Sequence, residues 1–262
     1  MRLYFSGFFT SPDLVNKLQG DYGVLLSYLE VRGKRPIPAL GKPIFLDSGA
    51  FSVMTGKTKV DLESYCSFVN ENKDKVVTYA NLDVIGNAEE TDRNQLYMES
   101  IGLNPLPTFH NGSDYKYLYK LIEKYDYIGL GGLVPIARKK DILFKHLDKC
   151  FSIIAKEKPE IMTHGWGMTG RDVVFRYPFY SIDSTLWLIG GRFIQRNEYS
   201  FRGMRRKKDN FAVAMKYHDI NIANAKQIYH MICDATSLWT KRGVTWKELP
   251  NNYAEASTGT LQ

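Results

Sequence analysis

Acidic residues and glycines stand at the ends of several short apolar runs in this sequence. Asp47 ends PIFLD, Asp83 ends VVTYANLD, Asp183 lies in YSIDST, and YIGLGGL contains the pair Gly131 and Gly132. Runs of branched and aromatic residues are typical of buried β-strands, and a parallel barrel presents its chemistry at the carboxyl ends of its strands. Two carboxylates brought together there could carry out glycosidic-bond chemistry, one as the nucleophile and the other as acid and base.

The aspartates fit different roles, although an Asp at a strand end can also simply cap the following loop or helix. Asp183 suits a nucleophile that attacks a sugar C1′ and forms a covalent glycosyl-enzyme, with Ser184 and Thr185 fixing its rotamer. Asp83 suits recognition, because an ionised carboxylate accepts two N–H bonds side by side. The N1–H and 2-amino groups of a guanine-type base present such a pair of donors.

Glycines and histidines supply further candidates at the same strand ends. Gly49, Gly131 and Gly132 let the backbone approach a planar ligand where a Cβ would clash, although a Gly pair is also typical of a tight turn. His110 and His164 likewise follow apolar runs. Together with the first and last of the three aspartates they could form the metal site of a barrel hydrolase, but the sequence has no His-x-His pattern.

The apolar runs alternate with helical patterns along most of the chain. Strands are predicted in LYFSG, GVLLSYL, PIFLD, VVTYANLD, NPLPTFH, YIGLGGL, EIMTHGWGM and FYSIDST. Helices are predicted at Asp61–Asn70, Asn87–Ile101, Asp114–Lys124, Asp141–Ala155 and Asp219–Thr240, and another begins with Ser11 as N-cap and Pro12 as its first residue. This alternation predicts an α/β fold, a TIM-like (β/α)8 barrel over about residues 1–195. A C-terminal extension over about residues 196–262, a basic turn-like loop and a helix, completes a single domain.

Positive charge is concentrated in short stretches of this 262-residue chain, whose 35 Lys and Arg exceed its 28 Asp and Glu by a net charge of +7. The main cluster comprises Arg202, Arg205, Arg206, Lys207 and Lys208, and a second comprises Arg138, Lys139 and Lys140. Such stretches suit contacts with a nucleic-acid backbone, although a solvated loop can have the same composition.

Cysteine usage and hydropathy indicate the cellular setting. The cysteines are odd in number (three), far apart and without a Cys-x-x-Cys pattern, so neither a disulfide framework nor a zinc knuckle is expected. Reduced cytosolic surroundings fit this pattern best. No run approaches the roughly 18 apolar residues of a membrane span, and the apolar stretch at the N-terminus is too short for a signal peptide.

The order of these motifs resembles that of the tRNA-guanine transglycosylases, and more closely that of their compact relatives, the phage and bacterial 7-deazaguanine DNA transglycosylases. LDSGAF around Asp47 is similar to the family's acid/base segment, and ANLDV around Asp83 to its base-recognising strand end. GGL at Gly131 is similar to a segment whose backbone touches the base. THGWGM, which contains His164, stands where the family has a Met-Gly-Val-Gly segment, and Asp183 matches the nucleophile.

This resemblance covers roughly residues 3–192 and implies an enzyme that replaces guanine in a nucleic acid with a 7-deazaguanine base. Asp183 would carry the covalent intermediate and Asp47 would transfer the proton. No cofactor or bound metal is implied, and the location would be cytoplasmic, in the host cytoplasm if the chain is phage-encoded. Substrate contacts are implied at Ser48, Gly49, Asp83, His110, Gly131, Gly132, Leu133, His164 and Gly165.

Two departures from the tRNA enzymes bear on the polymer. Their Cys-x-Cys-x-x-Cys…His zinc subdomain has no counterpart in this sequence, and the chain is shorter. Both departures favour duplex DNA, from which the enzyme would flip the target guanine out of the stack. Three alternatives stay open: the same exchange on tRNA, a metal-dependent barrel hydrolase, and a nucleic-acid-binding relative without catalysis.

Overall fold

One parallel β-sheet forms the centre of the molecule. The computed structural model describes residues 1–8, 12–33, 37, 39–56, 58–188, 196–200, 203–207 and 217–247. Eight strands of this sheet are β1 Arg2–Ser6, β2 Gly23–Ser27, β3 Ile44–Asp47, β4 Thr78–Tyr79, β5 Thr108–His110, β6 Tyr127–Gly131, β7 Met162–Gly165 and β8 Ser181–Ser184. The predicted α/β class is therefore confirmed, with a strand in each of the eight predicted runs.

The sheet is curled, and its two edges are connected at one point only. Its strand order is β4-β3-β2-β1-β8-β7-β6-β5, and every pairing is parallel. At the edges, the Leu106 N–H donates to Tyr79 O over 2.7 Å and the Asn81 N–H donates to Leu106 O over 3.1 Å. These bonds form one isolated bridge between Ala80 and Leu106 instead of a continuous ladder. The sheet is thus TIM-like in order and curvature, but its edges are not joined by a full ladder.

Amphipathic helices follow most strands and cover the outer face of the sheet. They are α1 Tyr28–Val31, α2 Ala50–Met54, α3 Leu62–Asn72, α4 Ala88–Ser100, α5 Tyr115–Lys124, α6 Lys140–Glu157, α7 Arg171–Val174 and α8 Tyr217–Lys241. Polar N-caps begin three of them, because Asp61, Asn87 and Asp114 each accept a bond from an N–H of the first turn. The five predicted helices are present. The sixth is wrong in type, since Pro12–Lys17 is a 3-10 helix, and Ser11 lies outside the described residues.

Apolar residues pack on both faces of the curled sheet, as the alternation of strand side chains requires. Leu3 and Phe5 of β1 belong to the large core between sheet and helices. Tyr4, between them, points inward and joins a smaller cluster inside the curl. That inner cluster consists of Tyr4, Leu25, Phe45, Ala80 and Leu106, with Val77, Tyr127 and Trp166 packed against it. This cluster fills the interior of the curled sheet. Most of its residues lie at positions that precede Asp47, Asp83 and Asp183, so the polar residues lie beyond the cluster, at the carboxyl ends of the strands.

The C-terminal part contains a β-hairpin where a turn-like loop was predicted. Strands β9 Arg196–Ser200 and β10 Gly203–Lys207 pair antiparallel. Packing on α8 supports them: the Tyr199 N–H donates to Gln227 Oε1 over 2.9 Å, and the Tyr199 hydroxyl donates to Asp234 Oδ2 over 2.8 Å. The loop prediction is wrong because tertiary contacts with α8, and not local turn chemistry, decide this segment.

The structure places two of the three cysteines in the protein interior. Cys66 and Cys150 are buried, and Cys233 is exposed. Among the described residues, all three cysteines are free, and none of the helices has the length and hydropathy required to cross a bilayer.

Candidate active site

Three aspartates converge at the carboxyl end of the sheet. Asp47 is the last residue of β3, Asp183 lies in β8, and Asp83 follows the end of β4. The negative charges of Asp83 and Asp183 both act on the Asp47 carboxyl. Carboxyl ends of parallel strands meet at one edge, so residues far apart in sequence face the same space. The predicted convergence of Asp47 and Asp183 is therefore present in the structure.

Asp47 has the electrostatics of a group that exchanges protons near neutral pH. Burial, followed by the charges of Asp83 and Asp183, raises the pKa of Asp47 to about 7. The Gly49 N–H donates to Asp47 Oδ2 over 3.2 Å and opposes this shift without overcoming it. The side chain as a whole remains partly accessible, so we regard its carboxyl as desolvated yet within reach of a ligand. A carboxyl with such a pKa can both give and take a proton at neutral pH.

Asp183 is held by donors from two neighbouring strands or their loops. The Gly167 N–H donates to Asp183 Oδ1 over 2.6 Å, and the Ser6 hydroxyl donates to Asp183 Oδ2 over 3.3 Å. Only 8% of Asp183 is exposed. The prediction that Ser184 and Thr185 fix its rotamer is wrong for Ser184, which is bonded to Thr169 instead. Consecutive strand residues point to opposite faces, so Ser184 faces away from Asp183.

Asp83 lies in the loop after β4 and is bonded to two polar side chains from neighbouring strand ends. Ser48 Oγ donates to Asp83 Oδ1 over 3.5 Å, and His110 Nε2 makes a short contact with Asp83 Oδ2. Helix α4 anchors the loop, because the Val84 N–H donates to Thr91 Oγ1 over 2.9 Å. A carboxylate oxygen can accept more than one bond, so each oxygen retains acceptor capacity for a ligand.

The glycine pair is needed by the protein itself as well as by any ligand. A Cβ on Gly131 would lie 2.8 Å from His110 Cδ2, closer than real Cβ contacts allow. Gly132 has a φ of +67°, which only glycine adopts easily. Leu133 is buried in the main core, with 1% of the residue exposed, so the structure leaves little of it within reach of a ligand. A Cβ on Gly165 would lie 2.9 Å from Phe179.

The two histidines pair with different aspartates. His110 contacts Asp83, whereas His164 Nε2 lies 3.4 Å from Asp183 Oδ1. The His164 side chain is fully buried, and burial lowers the pKa of its imidazole. In the part of the chain that the structure describes, no group of three or more His, Cys, Asp and Glu side chains is arranged to hold a metal ion. Of the four residues considered for a hydrolase site, His110 thus contacts Asp83, which was not among the four, and His164 lies beside Asp183, whereas Asp47 belongs to neither contact.

Several polar residues of this region escape sequence reasoning. Ser6 and Gly167 donate to Asp183, and Ser181 contacts His164. Tyr65 donates to Ala80 O over 2.7 Å close to the acids, whose charges add to burial in raising its pKa. Ser6 ends the first apolar run, a position where the search for strand-end polar residues could have found it. The others require the three-dimensional pairing.

Basic residues flank the same end of the sheet. Arg138, Lys139 and Lys140 are exposed and follow a 3-10 helix, Val134–Ile136, at the end of the loop that leaves β6 at its carboxyl end, with Lys140 as the first residue of α6. Of the larger cluster, Arg205, Arg206 and Lys207 lie on β10, and the Arg205 side chain is exposed. Arg202 and Lys208 lie outside the described residues. The smaller cluster is therefore the one whose position relative to the acids follows from the strand order.

The chain matches no known family model, and no curated protein sequence matches it. What the site can do follows from its own groups. It combines a proton-exchanging carboxyl at Asp47, an oriented buried carboxylate at Asp183, and an acceptor for N–H groups at Asp83. A carboxyl that exchanges protons and a second, oriented carboxylate are the two groups on which glycosidic-bond chemistry generally depends.

Proposed function

We propose that this protein is a base-exchange enzyme that replaces guanine in a nucleic acid, duplex DNA in the first place, with a 7-deazaguanine base. The observation that carries the proposal is the contrast between two acids at one sheet end. Asp47 has a pKa of about 7, whereas Asp183 is oriented by two hydrogen-bond donors. Carboxyls with such separated environments divide into an acid/base and a nucleophile.

The reaction proceeds by two displacements at C1′. An Asp183 oxygen forms a bond to C1′ while the C1′–N9 bond breaks, and the departing guanine takes the bonding electron pair and a proton from Asp47. The incoming 7-deazaguanine then returns a proton to Asp47, and its N9 attacks C1′ and releases the Asp183 carboxylate. Two inversions restore the original configuration, and Asp47 ends protonated as it began.

Base recognition is assigned to Asp83. Its carboxylate can accept the N1–H and the 2-amino group of guanine while it keeps its bonds to Ser48 and His110. The anchored loop supports this role, since a fixed acceptor loses little entropy on binding. The backbone at Gly131 and Gly132 would contact the base edge, and the other implied substrate contacts remain predictions.

The nucleic acid would lie across the exposed cations around the site. Arg138, Lys139 and Lys140 support this, because they leave the carboxyl end of β6. A complete (β/α)8 barrel is part of the same proposal, with its edges joined at Ala80 and Leu106. The flipped base would then bind among the acids at the carboxyl end of the barrel, and the phosphates would remain outside.

The direct test is base exchange by the nucleophile and acid/base variants. Purified protein is incubated with duplex DNA and a labelled 7-deazaguanine, and nucleosides are quantified by mass spectrometry. We expect Asp183→Asn to abolish exchange and Asp47→Asn to reduce it by roughly 10²- to 10⁴-fold, the range for loss of a general acid/base. Asp141→Asn, which alters an exposed acid on α6, serves as the matched control and should retain full activity.

The same experiment separates the alternatives. Parallel reactions with tRNA identify the polymer, and label found only in tRNA would replace DNA as the substrate. Exchange that continues at the normal rate in Asp183→Asn would refute the covalent mechanism. DNA binding without incorporated label in the wild type would favour a binding protein over an enzyme.

A further inference from the structure

A fully buried histidine lies beside the proposed nucleophile and has no role in the mechanism so far. His164 Nε2 is 3.4 Å from Asp183 Oδ1, and this buried nitrogen has no hydrogen-bond partner among the described residues that satisfies the geometry. Two aromatic rings pack against the His164 imidazole and fix its plane: the ring centroids of Trp166 and Phe45 lie 4.3 and 4.8 Å from that of His164. The ring therefore faces Asp183 from the protein interior and is shielded from a substrate.

Two hydroxyls stand behind this histidine. Ser181 Oγ lies 2.6 Å from His164 Nδ1 and 2.6 Å from the Tyr127 hydroxyl. Burial raises the pKa of Tyr127 well above its usual value, so this phenol keeps its proton and can donate it to Ser181. Ser181 then has its own proton free to donate to Nδ1 of the imidazole. We call these two residues, Tyr127 and Ser181, the hydroxyl chain.

The hydrogen bond from the hydroxyl chain determines which nitrogen of the His164 imidazole carries the proton. Burial lowers the pKa of His164, so the ring is neutral and has one N–H. If Nδ1 accepts from Ser181, that N–H must be on Nε2, which faces Asp183 Oδ1. The donors then run from Tyr127 through Ser181 to the imidazole, whose own N–H lies on the nitrogen 3.4 Å from Asp183 Oδ1.

We propose that His164 is a positioning residue for the Asp183 carboxylate, oriented by the hydroxyl chain, and that it takes this role in place of the substrate contact that the resemblance implies, because its side chain is fully buried. This inference rests on the proposed function. Oδ1 receives the Gly167 N–H at 2.6 Å and faces His164, whereas Oδ2 has the Ser6 hydroxyl at 3.3 Å. Oδ2 is thus the less strongly engaged oxygen, and the geometry assigns it as the atom that attacks C1′.

The first experiment measures the tautomer and does not depend on activity. ¹⁵N NMR of the imidazole nitrogens, assigned with His164→Gln, should show the Nε2–H form in the wild type. Ser181→Ala removes the donor to Nδ1 and should shift the ring toward the other tautomer. An Nδ1–H ring in the wild type would overturn the proposal, because Nε2 could then offer Asp183 only a lone pair.

The second experiment measures covalent-adduct formation with DNA in the absence of incoming base. We expect His164→Phe to lower kcat and the adduct rate by roughly 10- to 100-fold through a misplaced carboxylate, with KM for DNA nearly unchanged. His164→Gln, whose amide can donate from a similar position, should recover most of the rate. Tyr127→Phe, which keeps the ring, should give an intermediate loss and guards against a variant that fails to fold.

A buried histidine outside the site provides the control. His146 is buried between α5 and α6, where Nδ1 lies 3.3 Å from the Tyr115 hydroxyl, and His146→Gln should leave the adduct rate unchanged. An unaltered rate in His164→Phe, or a higher KM with normal kcat, would refute the positioning role. If the wild type forms no adduct with DNA or tRNA, the proposed function fails, and the tautomer measurement alone decides the hydroxyl chain.

Discussion

At the scale of single residues, the site depends on the different surroundings of three aspartates, which give chemically identical side chains different properties. Asp47, Asp83 and Asp183 have the same chemistry in water, yet in the folded protein burial and the charges of the other two raise the pKa of Asp47 to about 7. Its single backbone donor, the Gly49 N–H, is too weak to offset two nearby negative charges. The proton-transfer group is therefore defined by what surrounds it, and a lone motif such as LDSGAF does not reveal that environment.

The raised pKa of Asp47 predicts a pH-dependent stability that does not depend on any activity. A carboxyl whose pKa rises from 3.8 to about 7 on folding stabilises the protein when protonated, and this contribution is lost as pH increases through that window. An uncharged Asn loses nothing there. The melting temperature of Asp47→Asn relative to the wild type should therefore increase between pH 4 and pH 7, as measured by scanning calorimetry.

Asp141→Asn is the matched control for this measurement, because it removes an exposed carboxyl. Its melting temperature should follow that of the wild type at every pH. Parallel curves for Asp47→Asn and the wild type would mean that the Asp47 carboxyl is hydrated and ionised in the folded protein, contrary to the burial on which the acid/base role depends.

At the scale of elements, local pattern predicts strand ends well where packing agrees with it. β3 ends at Asp47 and β5 ends at His110, as the apolar runs predicted. β4 ends at Tyr79, before the predicted Asp83, because side chains of α4 take the hydrogen bonds of the following loop. The hairpin could not be predicted, because it depends on contacts with α8. Ser6 could have been identified by its place at a strand end, but its bond to Asp183 could not, because it joins residues separated by 177 positions.

Close packing between the ends of β5 and β6 means that one added methyl group, at Gly131, should lower the stability of the protein. Gly131→Ala would put a Cβ 2.8 Å from both His110 Cδ2 and Thr108 Cγ2, so the His110 ring must move away from Asp83. Such overpacking costs about 1–3 kcal/mol of unfolding free energy, measurable by urea denaturation. Base exchange should fall together with stability.

Gly33→Ala provides a matched control for this substitution. A Cβ at Gly33 meets no atom within 4 Å, so the change in unfolding free energy should remain within about 0.5 kcal/mol. A Gly131→Ala protein with the stability and the His110 environment of the wild type would show that the ends of these strands are looser than the structure describes.

At the scale of the whole molecule, acids lie together at the carboxyl end of the sheet, and exposed cations lie on the chain that leaves this end after β6. This distribution suits a nucleotide whose base and phosphate bind in different places. The net charge is +7, yet the interior of the sheet end contains three acids. The exposed cations Arg138, Lys139 and Lys140 lie between β6 and the first turn of α6. A polyanion is attracted to the periphery and repelled from the centre, whereas a neutral base with N–H donors is accepted by the acids. The field thus favours a flipped nucleotide over an intact backbone in the site.

This separation predicts that the position of a cation, and not the net charge alone, determines nucleic-acid binding. Arg138→Ala/Lys139→Ala should weaken DNA binding and reduce the slope of log K against log salt by about 0.9 for each phosphate that the protein no longer neutralises. Lys73→Ala/Lys156→Ala removes the same charge from exposed positions before β4 and β7, at the opposite end of the sheet, and should leave the slope unchanged. Fluorescence anisotropy across a salt series measures both. Equal reductions of the slope in the two double variants would indicate diffuse electrostatic attraction, and DNA would then have no preferred path across the carboxyl end of the sheet.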